Sequence, residues 1–155
     1  MIGAERAPRR LVTATVAVTV VFVVAAIAAA VRPALLGTPV AVLDLALFVA
    51  GSLMFAAALV RAAARSRHEE LSVAGLFLLS GSAPPDVRRA LLGCLALQVV
   101  VAFATAAARP FTPLAFGVLV PTFGLGACGL WAARHGTFPS RSRSQGEVRR
   151  VRQVG

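Results

Sequence analysis

Lysine is absent from this chain of 155 residues, which has only six acidic residues, two cysteines and two histidines. Two cysteines and two histidines are too few for a disulfide scaffold or a complete zinc site. Charged residues make up 14% against 58% hydrophobic, and the mean hydropathy is +0.82. A soluble domain of this size carries more charge and shorter apolar runs, so the class is integral membrane. No nucleophile-base pair, metal motif or phosphate-binding loop stands in the sequence, and neither a cofactor nor an enzymatic activity is expected.

What the chain has in quantity is arginine, which supplies all 16 basic residues and a net charge of +10. This arginine-only basicity is read as the mark of a GC-rich coding sequence. A basic balance raises nucleic acid and anionic lipid as partners, and the long apolar runs decide for the bilayer and its anionic headgroups. For nucleic acid there is neither aromatic interleaving nor a folded module.

Four apolar runs are expected to cross the membrane as helices, at 11–31, 40–60, 90–108 and 114–133. The first is too long for a signal-peptide core of roughly 7 to 15 residues and lacks a small-residue cleavage region, so it is read as retained. Its Thr13, Thr15 and Thr19 can bond carbonyls of their own helix. Two prolines and a glycine over 32–39 predict a break before span two, and a five-residue turn at 109–113 makes spans three and four antiparallel neighbours. The two outer turns, Ala-Ala-Val-Arg-Pro at 29–33 and Ala-Ala-Ala-Arg-Pro at 106–110, read as a shared turn recipe rather than a duplication. Between spans two and three, the apolar stretch after Glu70 is too short to cross and is expected to lie in the interface as a short helix, with Ser82 as N-cap of span three.

The expected architecture is therefore all-α, a four-transmembrane-helix bundle over 11–136 with a short N-terminus (1–10) and a disordered basic tail (137–155). Fourteen arginines fall on one side of the four spans, and only Arg32 and Arg109 on the other. The positive-inside rule then places both termini in the cytoplasm and the chain in the plasma membrane.

Span four carries four glycines and Pro121. On a helical wheel, Gly117, Pro121, Gly124 and Cys128 share one face and Thr122, Gly126, Gly129 and Ala133 another, so the span is expected to sit between two neighbours. Its bulky ridge (Phe116, Leu119, Val120, Phe123, Leu130, Trp131) is expected to face lipid. Aligning spans three and four by depth pairs Gln98 with Gly124 and Thr105 with Gly117. Pro121 cannot donate to the Gly117 carbonyl, and Thr105 is the expected donor to it, as Gln98 is to backbone beside Gly124. This is read as a structural seam in preference to a substrate path. Cys94 and Cys128, which His68 and His135 could complete as a redox or metal pair, match no metal spacing, and the two cysteines are expected to pack as small apolar side chains. Asp44, the one acid within a span, is expected about a turn inside the outer boundary and paired with Arg32 or Arg109, in preference to a transport role.

The fourth span and its exit, Phe111-Thr-Pro-Leu-Ala-Phe-Gly-Val-Leu-Val-Pro-Thr-Phe-Gly-Leu-Gly through Gly129-Leu-Trp-Ala-Ala-Arg-His-Gly-Thr-Phe-Pro, resemble small four-span membrane proteins of unknown function from actinobacteria, over about 71–139. The resemblance implies the four-span fold and transfers no activity. The expected function is a membrane protein that scaffolds or modulates a protein partner through its basic cytoplasmic face. The alternative is a small transporter or channel subunit acting as a homo-oligomer. Asp44 and Gln98 discriminate between them, since transport needs polar groups that helix adhesion does not explain.

Overall fold

The computed structural model describes residues 6–66, 72–108 and 110–138. In lipid every backbone N–H and C=O has to be satisfied within the chain, and long uncharged runs rich in alanine and valine meet that demand as helices. The order is α1 (Arg6–Val31), α2 (Pro33–Arg65), α3 (Val73–Phe77), α4 (Pro85–Ala108), a 3₁₀ segment (Pro113–Leu119) and α5 (Pro121–His135). There is no strand among the described residues. Four rods, Arg9–Val31, Pro33–Arg65, Pro85–Ala108 and Pro113–His135, are long and apolar enough to cross a membrane. The protein is an all-α, four-helix, multi-pass membrane protein.

The helices are longer than the apolar runs that announce them. The break expected over 32–39 shrinks to Arg32, whose carbonyl accepts from the N–H groups of Leu35 and Leu36 as α2 begins at once. Pro33 opens that helix at a position where its missing N–H leaves nothing unpaired, while Pro39 lies inside the helix and removes one bond. The other Arg-Pro segment folds differently: α4 stops at Ala108, Phe111 takes a φ of 63°, and the 3₁₀ segment starts at Pro113. Two similar sequences thus make two unlike turns.

The fourth rod is the centre of the bundle. Its most extensive packing is against α2, and it also meets α1, α3 and α4. Gly51 of α2 faces Phe123 so closely that a Cβ on Gly51 would stand 2.5 Å from the Phe123 N and Cα, and a Cβ on Gly126 would collide with the Gly51 carbonyl oxygen. Backbone therefore meets backbone, the arrangement in which dispersion holds helices together in lipid. The bulky ridge expected to face lipid does so only at Phe116, which is 51% exposed. Val120, Phe123, Leu130 and Trp131 are buried, because α1 and α3 cover the side left open by α2 and α4.

The end of the bundle that carries Arg9, Arg65, Arg88 and Arg134, here termed the basic end, is closed by α3 and its flanks. The expected short helix is present, and its apolar side chains turn into the bundle. Leu76, Phe77 and Leu79 are buried against Ala58, Cys128, Leu130 and Trp131, and Phe77 stacks on Phe55 with ring centroids 4.7 Å apart. Ser72 caps the short helix by accepting from the Gly75 N–H. Ser82 is not the cap of α4; its hydroxyl donates to the Gly75 carbonyl at 2.6 Å and its own carbonyl accepts from Thr137 N–H. Arg65 donates to the carbonyls of Ala133 and Gly136, tying the end of α2 to the end of α5. His68 and Arg109 lie outside the described residues, as does the tail from 139 onward.

Candidate functional site

The interior alternates between apolar and polar layers, and each rod contributes to them in the order of its sequence. Next to the basic end lies the large apolar cluster around Leu91, Cys128 and Trp131. Then come three buried polar side chains, Thr15, Thr19 and Gln98. A second apolar layer of Phe22, Ala26, Ala102 and Val120 follows. Beyond it stand Asp44 and Thr105 with Gly117, and a last apolar layer of Ala29, Val40 and Leu114 closes the Arg32 side.

Gln98 is fully buried and spans three rods. Its Nε2 donates to the hydroxyl of Thr19 on α1 at 2.7 Å, while Thr19 donates in turn to the Thr15 carbonyl. Its Oε1 has no hydrogen-bond partner and faces α5, 2.6 Å from where a Cβ on Gly124 would stand. Gln98 therefore does lie against Gly124, but it gives its N–H to α1 and not to exposed backbone of α5. Thr19 was the missing partner. Its signal was the placement of Thr15 and Thr19 four residues apart on one face of an otherwise apolar helix.

Pro121 also resolves differently from the expectation. The chain before it tightens into a 3₁₀ segment, so the Gly117 carbonyl accepts from Val120 N–H at 3.0 Å, and Pro121 becomes the first residue of α5. No donor from α4 is needed. Thr105 donates within its own helix, to the carbonyls of Val101 at 2.8 Å and Ala102 at 3.1 Å. The fourth rod is thus broken where the 3₁₀ segment meets α5.

Asp44 stands three turns into α2, about 16 Å from Pro33 at 1.5 Å per residue. It is 1% exposed. Arg32 is exposed and does not pair with it, and Asp44 Oδ1 has no hydrogen-bond partner. Its Oδ2 lies 3.6 Å, and the Thr105 hydroxyl oxygen 3.9 Å, from the point where a Cβ on Gly117 would stand. The absence of a side chain at Gly117 leaves carboxyl and hydroxyl on either side of bare backbone.

No family model, no curated protein and no solved structure matches this chain. The chemistry has to be read from the layer itself. A buried carboxylate without a counter-charge is expensive, and a metal cation would need several oxygen or nitrogen ligands. Among the described residues no three His, Cys, Asp or Glu side chains come together to hold one. Both cysteines are free and buried.

Proposed function

We propose that this protein is a small, non-enzymatic membrane transport component in which the Asp44 carboxyl takes up and releases a proton. The observation that carries the reading is the burial of Asp44 between two apolar layers, with its Oδ1 unpartnered and no ion pair among the described residues. Helix adhesion explains Gln98 through Thr19, but it does not explain a buried carboxyl whose Oδ1 has no hydrogen-bond partner. A proton needs no ligand shell, and the Thr105 hydroxyl, whose hydrogen serves its own helix, borders the same Gly117 gap as the carboxyl. Movement between closed and open forms would use the joint between the 3₁₀ segment and α5 at Val120, because Val120 is also part of the apolar layer separating Asp44 from the basic end.

In this reading the basic end faces the cytoplasm of a plasma membrane, where arginine-rich connections are retained. Kinship with the small four-span proteins of actinobacteria belongs to the same proposal. The test is proton flux in vesicles that contain the purified protein and a trapped pH-sensitive dye. Flux is expected from the native chain, reduced flux from Asp44→Glu, and none from Asp44→Asn that elutes as a single folded species. Undiminished flux through Asp44→Asn, or none through the native chain, overturns it.

A further inference from the structure

At the basic end a recess of about 510 Å³ opens between the turn that leads into α4 and the last turn of α5, lined by Gly81, Ser82, Ala83, Pro84, Trp131, His135 and Thr137. Its size falls within the range of small-molecule sites. Trp131 is 3% exposed, and its indole N–H has no acceptor among the described residues. A buried donor left without an acceptor costs free energy. Tryptophan at a membrane boundary ordinarily offers this N–H to the headgroup region. His135, with its ring 5.7 Å from the indole between centroids, adds a second ring N–H at the rim.

The recess also adjoins the start of a long helix. α4 runs for 24 residues from Pro85, and the first of its N–H groups to find an acceptor is that of Arg88, bonded to the Pro84 carbonyl. The free N–H groups and the dipole of such a terminus favour an anion. Arg88 and Arg89 are exposed in the first turns of α4 and Arg134 is exposed in the last turn of α5, while Asp86 in the first turn of α4 is the acid at this end among the described residues. The Arg88 guanidinium is drawn toward the same turn, donating to the Leu78 carbonyl at 3.3 Å.

We propose that this recess binds the phosphate group of a net-anionic molecule, with the Trp131 indole N–H and the His135 ring as its side-chain donors. The group has two sources, the headgroup of an anionic phospholipid or a soluble phosphate compound. The proposal does not depend on Asp44, which lies on the far side of two apolar layers and a polar one.

Trp131 is the only tryptophan and there is no tyrosine, so intrinsic emission reports on this recess alone. The full chain, stripped of lipid in a neutral detergent, is titrated separately with phosphatidylglycerol, phosphatidylcholine and glycerol 3-phosphate while the Trp131 emission is followed. A saturable change is expected with at least one of the two anionic probes. Response to phosphatidylglycerol alone assigns a headgroup, and response to glycerol 3-phosphate assigns the soluble source. His135→Leu is expected to weaken the response roughly tenfold, the worth of one lost charge-assisted hydrogen bond. Arg10→Gln, at the same end but outside the recess, is expected to leave it unchanged. The proposal falls if neither anionic probe gives a saturable change, if phosphatidylcholine gives an equal one, if His135→Leu responds like the native chain, or if Arg10→Gln weakens binding as much as His135→Leu.

Discussion

Replacing Gly51 by alanine tests the closest approach in the bundle. The added Cβ would stand 2.5 Å from the N and Cα of Phe123 and 2.7 Å from the carbonyl carbon of Thr122. Carbon atoms in contact rest about 3.5 to 4.0 Å apart, so α2 and α5 would have to separate locally by about 1 Å. The obstacle is backbone, and no rotamer change relieves it. Overpacking a well-filled contact costs about 1 to 3 kcal/mol, and this site should fall in the upper half of that range. At about 2 to 4 °C per kcal/mol for a chain of this length, the melting temperature is expected to fall by roughly 5 to 10 °C.

Two controls share the chemistry and differ in the space available. At Gly117 an added Cβ would find its nearest atom, Asp44 Oδ2, at an ordinary 3.6 Å, so Gly117→Ala should cost less than about 1 kcal/mol. At the exposed Gly93 nothing lies within 4 Å, and Gly93→Ala should gain up to about 1 kcal/mol from helix propensity. Both cysteines are free and buried, so labelling by a thiol-reactive fluorophore during heating in detergent reads unfolding directly. The reasoning fails if Gly51→Ala melts with the native protein, or if Gly117→Ala loses as much as Gly51→Ala.

Three further single variants and one double variant probe the remaining polar contacts in the same melting assay. Thr19→Val takes the only bonded partner from Gln98 and should cost about 1 to 3 kcal/mol, whereas Gln98→Leu removes an already half-satisfied amide and should cost less. Adding Gln98→Leu to Thr19→Val should restore much of the loss, and strictly additive losses would argue against the contact. Arg65→Gln should free the last carbonyls of α5 and lower stability by about 1 to 2 kcal/mol. Amide exchange in 132–138 should quicken before that of α4, and unaltered exchange there would show that the arginine does not secure this end.

The sequence by itself determined the class, the number of crossings and the side of the bundle on which arginine gathers. Each follows from length and charge, which the bilayer tests one helix at a time. It also placed Gln98 beside Gly124 and Thr105 beside Gly117, because a short turn between antiparallel rods leaves little freedom of register. Hydropathy could not say which apolar face meets lipid and which meets protein, since both surroundings suit the same side chains. Only the tertiary structure buried Phe123, Leu130 and Trp131, turned α3 inward as a plug, and brought Gly51 against Phe123. It alone decided where the polar atoms found partners. The 3₁₀ segment satisfied the Gly117 carbonyl locally, Thr19 reached Gln98 from a helix distant in sequence, and Asp44 was left without Arg32 beside it. A hydrogen bond is settled within a few tenths of an ångström, and spacing along a chain does not resolve positions that finely.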